Sequence, residues 1–119
     1  MRREDFEDLV VQALEELPEY FKKKLENIEV VVETRPTSEV LKKLQIGHPR
    51  LLLGLYQGVP LKRRGIRYGS VLPDKVTLYQ EPIESVCNSE EEIEERVREV
   101  VKHEIGHYFG LSEDELENL

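Results

Sequence analysis

Residues 103 to 107 read His-Glu-Ile-Gly-His. On an α-helix, side chains four residues apart stand one above the other on the same face, so His103 and His107 would present two imidazoles to one point. That arrangement matches two positions on a tetrahedral zinc ion. Glu104 projects about a quarter-turn round and can reach a water on the metal without binding the metal itself. An H-E-x-x-H stretch therefore reads as two ligands plus a general base. The chemistry would be hydrolytic: Zn2+ lowers the pKa of water from about 15.7 to about 7, a carboxylate accepts the proton, and the cation stabilises an oxyanion on an attacked carbonyl.

A catalytic zinc site takes three protein ligands and keeps one position open. The third has to come from beyond the helix, after a turn that swings the chain back. Gly110 can adopt the left-handed conformation that such a turn requires. Three residues further on stands Glu113, with Asp114 beside it, so the full pattern is H-E-x-x-H-x-x-G-x-x-E.

The motif needs a helix to work, and the sequence supplies one. Ser89 is followed three residues later by Glu92, a capping-box pattern, and acids at 90, 91 and 92 suit the positive end of a helix. The expected helix runs from about Glu90 to Phe109, stopped by Gly110. Val97, Val100, Val101, Ile105 and Tyr108 wrap its C-terminal half in apolar surface. Arg96, Glu99, His103 and His107 break that cover along one line, and polar groups on a buried helix need partners.

Other elements must pack on this helix. Phe6, Leu9, Val10, Ala13, Leu14 and Leu17 recur at three- and four-residue spacing, which predicts an amphipathic N-terminal helix from Arg3 to about Leu17. Pro18 can open a second turn of helix through Leu25. "IEVVVET" is β-branched and reads as a strand, stopped by Pro36. A short helix ended by Gly47 is expected next, then a strand in "RLLLGLYQG" that runs into a turn at Gly58 and Pro60. Residues from Pro60 to Pro73 read as a long surface loop, a length commonly tied to function. "DKVTLYQ" is a third strand, with Val76, Leu78 and Gln80 on one face and Thr77 and Tyr79 on the other. "PIESVC" reads as a helical turn, and "SEDELENL" as a short final helix.

Composition bounds the rest. A chain of 119 residues, 39% hydrophobic and 35% charged, fits one soluble domain over 1–119. No run approaches the ~20 apolar residues that span a bilayer, so no membrane association is expected. The acidic start "MRREDFEDLVVQ" does not read as a signal peptide. A net charge of -8 argues against nucleic acid, whose phosphates are bound by Lys and Arg. Lys62, Arg63, Arg64 and Arg67 are a local exception, read as a solvated basic loop or as an anion contact beside the site. Cys87 is the single cysteine, which suits a cytoplasmic location, and it reads as a buried thiol or a metal ligand. His48, beside a proline, reads as polar surface or a ligand. Nothing in the sequence specifies an oligomeric state.

"LLGLYQGVPL", "VLPDKVTLYQEPIE", "NSEEEIEERV" and above all "VVKHEIGHYFGLSEDEL" resemble the bacterial zincin-like metallopeptidases of very short length, the minimal zincins. The resemblance covers roughly the last two-thirds of the chain. It implies an α+β fold, a zincin-like domain in which a small mixed β-sheet packs on the active-site helix beside an N-terminal helix. It also implies that "KVTLYQ" borders the cleft and aligns a peptide by main-chain pairing. Carried over, His103 and His107 match the ligand histidines, Glu104 the general base and Gly110 the turn glycine. Glu113 falls where the family has an acidic third ligand, more often aspartate. Larger relatives add a methionine turn, and here Met1 is the only methionine. The implied function is zinc-dependent hydrolysis of a peptide or protein substrate. The alternative is a non-catalytic zinc-binding module, closed by a fourth ligand from His48, Asp114 or Cys87. A metal-dependent nuclease is disfavoured by the acidic charge.

Overall fold

A computed structural model describes residues 1–25, 27–58, 74–112 and 114–115. The N-terminal apolar stripe forms helix α1 (Arg3–Glu15), which buries Phe6, Val10 and Ala13. Leu17 continues the stripe beyond its end. Pro18 stands just outside the next helix, α2 (Glu19–Lys22), and not in its first turn. That helix is shorter than the sequence implies, and i→i+3 turns carry the chain on to Leu25, which packs toward the core.

Among the described residues three strands make one mixed sheet: β1 (Ile28–Glu33), β2 (Gly54–Gln57) and β3 (Asp74–Tyr79), in the order β1-β3-β2. β3 runs parallel to β1, with Val30 opposite Val76, and antiparallel to β2, with Tyr56 opposite Val76. This corrects one expectation. "KVTLYQ" does not border the cleft: it is the central strand, with main-chain partners on both sides. Val76 and Leu78 share one face and Thr77 and Tyr79 the other, and all four are buried. A strand covered on both faces reads as a continuous apolar run. Gln80 leaves the strand and opens helix α4 (Gln80–Ser85), two residues earlier than the proline suggested.

Helix α3 (Ser38–Leu44) is capped by the Thr37 hydroxyl, which accepts from the Val40 N–H at 3.2 Å. It ends two residues before Gly47. Gln45 takes the left-handed conformation at φ 59°, while the Ile46 N–H bonds to the Leu41 carbonyl at 2.9 Å. A polar residue thus performs the turn that glycine performs at most helix ends. A 3-10 turn at Pro49–Leu51 leads into β2.

Helix α5 (Glu90–Tyr108) matches the sequence expectation closely. The Ser89 hydroxyl accepts from the Glu92 N–H at 3.1 Å, and the Glu92 carboxylate accepts from the Asn88 N–H at 3.2 Å. The reciprocal bond therefore lands one residue earlier than in the usual capping box. α5 packs against α1, β2 and β3. Phe6, Val76, Leu78, Val97, Val101 and Ile105 form the centre of the resulting core. The whole of the expected 60–73 loop, with Lys62, Arg63, Arg64 and Arg67, lies outside the described residues, as does most of the final helix. Among the described residues, no helix is long and apolar enough to cross a membrane.

Candidate metal centre

The last turns of α5 set two imidazoles and a carboxylate together. One donor atom from each of His103, Glu104 and His107 lies within 4.8 Å of the others. The two rings stand 4.5 Å apart between centroids, tilted by 67°. Donors on a tetrahedral ion with bonds of ~2.0–2.1 Å stand roughly 3.3 Å apart. Small side-chain rotations therefore close the difference, and the nitrogen-rich donor set suits zinc. Among the described residues no other group of three such donors meets this condition.

Glu104 is the buried member, 7% exposed against partly exposed histidines. Burial pushes its carboxyl above the ordinary glutamate value. The positive potential of His107 and His103, a hydrogen bond from His107 and another from the backbone N–H of Tyr56 all oppose that rise. Oε1 of Glu104 stands 3.3 Å from Nδ1 of His107, so a metal would take the other ring nitrogen, Nε2. As a donor Glu104 lies within reach of the same point as the imidazoles. Its bonds to His107 and to the main chain of β2 nevertheless favour a role beside the ion over one on it.

β2 holds that carboxylate in place, a role the sequence reading did not assign. A Cβ at Gly54 would lie 2.6 Å from Cγ1 of Val100 and 3.2 Å from Cγ of Glu104. Only glycine lets the strand come this close to α5. Glycine inside a strand signals such a close approach, so the feature was readable from "LLGLY". Two residues on, the Tyr56 ring meets Tyr108 edge-on at 6.0 Å, and its hydroxyl donates to Oδ2 of buried Asp74 at 2.7 Å.

Past His107 the helix closes with a Schellman motif. Gly110, at φ 74°, donates to the His107 carbonyl at 2.9 Å, and the Leu111 N–H donates to the Gly106 carbonyl at 3.0 Å. Gly110 is thus the turn glycine the sequence expects. Ser112 and Glu115 then form a reciprocal capping box, at 3.1 and 3.2 Å, across positions 113 and 114. The S-x-x-E spelling encodes it. Glu113 itself lies outside the described residues. Asp114 is exposed.

The other sequence candidates lie elsewhere. His48 is exposed and caps the 3-10 turn, its Nδ1 accepting from the Arg50 N–H at 3.1 Å. Cys87 is partly buried, and burial raises its thiol pKa. Neither joins the His103–Glu104–His107 group. His103 and Glu104 face a groove of about 330 Å³, walled by residues 51–54 on one side and by Arg96, Glu99 and Val100 of α5 on the other.

A small mixed sheet on a helix that carries H-E-x-x-H defines a zincin-type α+β domain. The sequence profile described as Zincin-like metallopeptidase matches residues 25–119, and the chain belongs to that family. The match begins ahead of β1, so it takes in all three described strands as well as the motif. Comparison with curated proteins gives no match.

Proposed function

We propose that this protein is a zinc-dependent peptidase in which His103, His107 and Glu113 hold the ion and Glu104 is the general base. The observation that carries the reading is the meeting of two imidazoles and a buried carboxylate, two of which, His103 and Glu104, line one end of a groove. That groove runs beside β2, which among the described residues has a sheet partner on one side only. When bound, Zn2+ supplies Lewis-acid polarisation of a scissile carbonyl and acidifies water.

The chain's own residues do the remainder. β2 offers main-chain groups to an extended substrate, which fixes the peptide bond beside α5. Glu104 accepts a proton at its carboxylate and later delivers it to the leaving amine. The Tyr56 N–H and His107 Nδ1 keep that carboxylate from swinging out of line.

The test is peptide hydrolysis by zinc-loaded protein and by its Glu104→Gln variant. Loss of a general base costs a factor of about 10²–10⁴. Equal rates in the two proteins would overturn the reading.

A further inference from the structure

The groove does not end at the reacting centre. It tracks α5 toward its N-terminus, past Val100 and Glu99, and reaches Arg96. Its far wall is apolar, built from Leu51, Leu52 and Leu53, and Leu51 is 72% exposed. Among the described lining residues Arg96 is the one permanent cation.

That charge is lightly committed. Nη1 of Arg96 is 3.7 Å from Oε2 of Glu99, and both side chains are well exposed. Such pairs contribute only ~0–1 kcal/mol, so an incoming anion can displace the contact. The other neighbour is the thiol of Cys87, a weak acceptor. Arg98, by contrast, is held by Glu94 at 3.0 Å and Glu16 at 3.8 Å. A guanidinium beside an apolar wall, with little to satisfy it, suits a carboxylate that brings its own two oxygens.

Spacing sets where that carboxylate belongs. Arg96 precedes His103 by two helical turns on the same face, roughly 10 Å along the axis. An extended peptide advances about 3.3 Å per residue, so Arg96 stands about three residues from the bond beside His103 and Glu104.

We infer that Arg96 is a specificity-determining contact for a carboxylate on the bound peptide, placed about three residues from the reacting bond. Leu51, Leu52 and Leu53 take apolar side chains in between. The carboxylate is an acidic side chain or a chain terminus. With a net charge of -8 the protein repels acidic polypeptides at long range. The preference is therefore local: one anionic group on an otherwise neutral or basic segment. The inference rests on the peptidase reading for where the reacting bond lies.

The experiment reads binding without turnover, in the full chain carrying Glu104→Gln, with and without added zinc. The probes are fluorescent octapeptides of Ala and Leu with amidated ends, in which Asp or Asn is moved through every position. A second pair differs only in a free or an amidated C-terminus, which separates a terminal carboxylate from an acidic side chain. The expected result is one Asp position, or the free terminus, bound roughly ten-fold tighter than its neutral twin. Adding Arg96→Gln abolishes that ratio, Arg96→Lys keeps part of it, and Arg96→Glu turns it toward Lys-bearing peptides. Equal affinities within every pair, or a preference that survives Arg96→Gln, overturn the inference. If the peptidase reading alone fails, an Arg96-dependent preference persists without cleavage. If the inference alone fails, cleavage persists without a charge preference.

Discussion

The backbone N–H of Tyr56 donates to the carboxylate of Glu104, tying a residue of β2 to the middle of the H-E-x-x-H motif. The carboxylate is thus held by the sheet as well as by its own helix. Several properties of the protein depend on how closely β2 and α5 sit.

Burial raises the Glu104 carboxyl above its ordinary value of 4.5. A group raised in the folded state stabilises that state fully below its unfolded pKa, and the contribution is lost as pH rises through the folded value. Metal-free protein should therefore lose stability from this group as the pH climbs above 4.5. Glu104→Gln removes the cost of an ionised, buried carboxylate. Thermal melts of the two metal-free proteins should show the Gln variant melting higher at neutral pH, with the gap closing in acid. A wild type that melts higher at neutral pH would contradict this.

Gly54→Ala places a methyl 2.6 Å from Cγ1 of Val100 and 3.2 Å from Cγ of Glu104, so the strand or its neighbours must shift. Overpacking of this kind costs about 1–3 kcal/mol. The strand should move off α5 and take the Tyr56 N–H with it. Denaturant unfolding should show the loss of stability. Peptidase activity in the surviving folded fraction should drop as well, since the base is no longer held.

His103→Ala and His107→Ala should each abolish stoichiometric zinc, while His48→Ala leaves it unchanged because His48 belongs to a separate turn. Metal analysis of the purified variants checks this. Zinc binding should also raise the melting temperature of the wild type. A ligand at about a hundred times its Kd adds about 2.7 kcal/mol of stability. Neither single-histidine variant should respond.

Glu113→Ala and Asp114→Ala separate the two candidates for the third ligand. The proposal expects zinc affinity to fall in the first and hold in the second. Competition against a chelator, read by the metal remaining on the protein, gives the answer. A loss confined to Asp114→Ala would move the ligand by one residue.

Gly110→Ala forces a Cβ into the left-handed region at φ 74°, a cost of roughly 1–2 kcal/mol. The turn directs the chain back past the helix end, so zinc affinity should fall along with stability. A variant that loses stability yet keeps full zinc affinity would show that the turn does not direct a ligand.

The sequence alone determined the features that depend on near neighbours in the chain. Two histidines four apart must share a helix face, Ser89 must cap the long helix at its start, and Gly110 must end it. The N-terminal stripe from Phe6 to Leu17 and the strand at Val30 to Val32 were legible for the same reason, since periodicity and β-branching act within a few residues. Tertiary structure alone decided which strand meets the motif. "KVTLYQ" and "GLYQ" both read as strands, and nothing local says that the first is buried between two others while the second packs against α5. That choice comes from how the sheet covers its apolar faces, a property of the whole core. It brings Gly54 and Tyr56 to Glu104 across about fifty residues of chain, and Arg96 to face a wall of leucines.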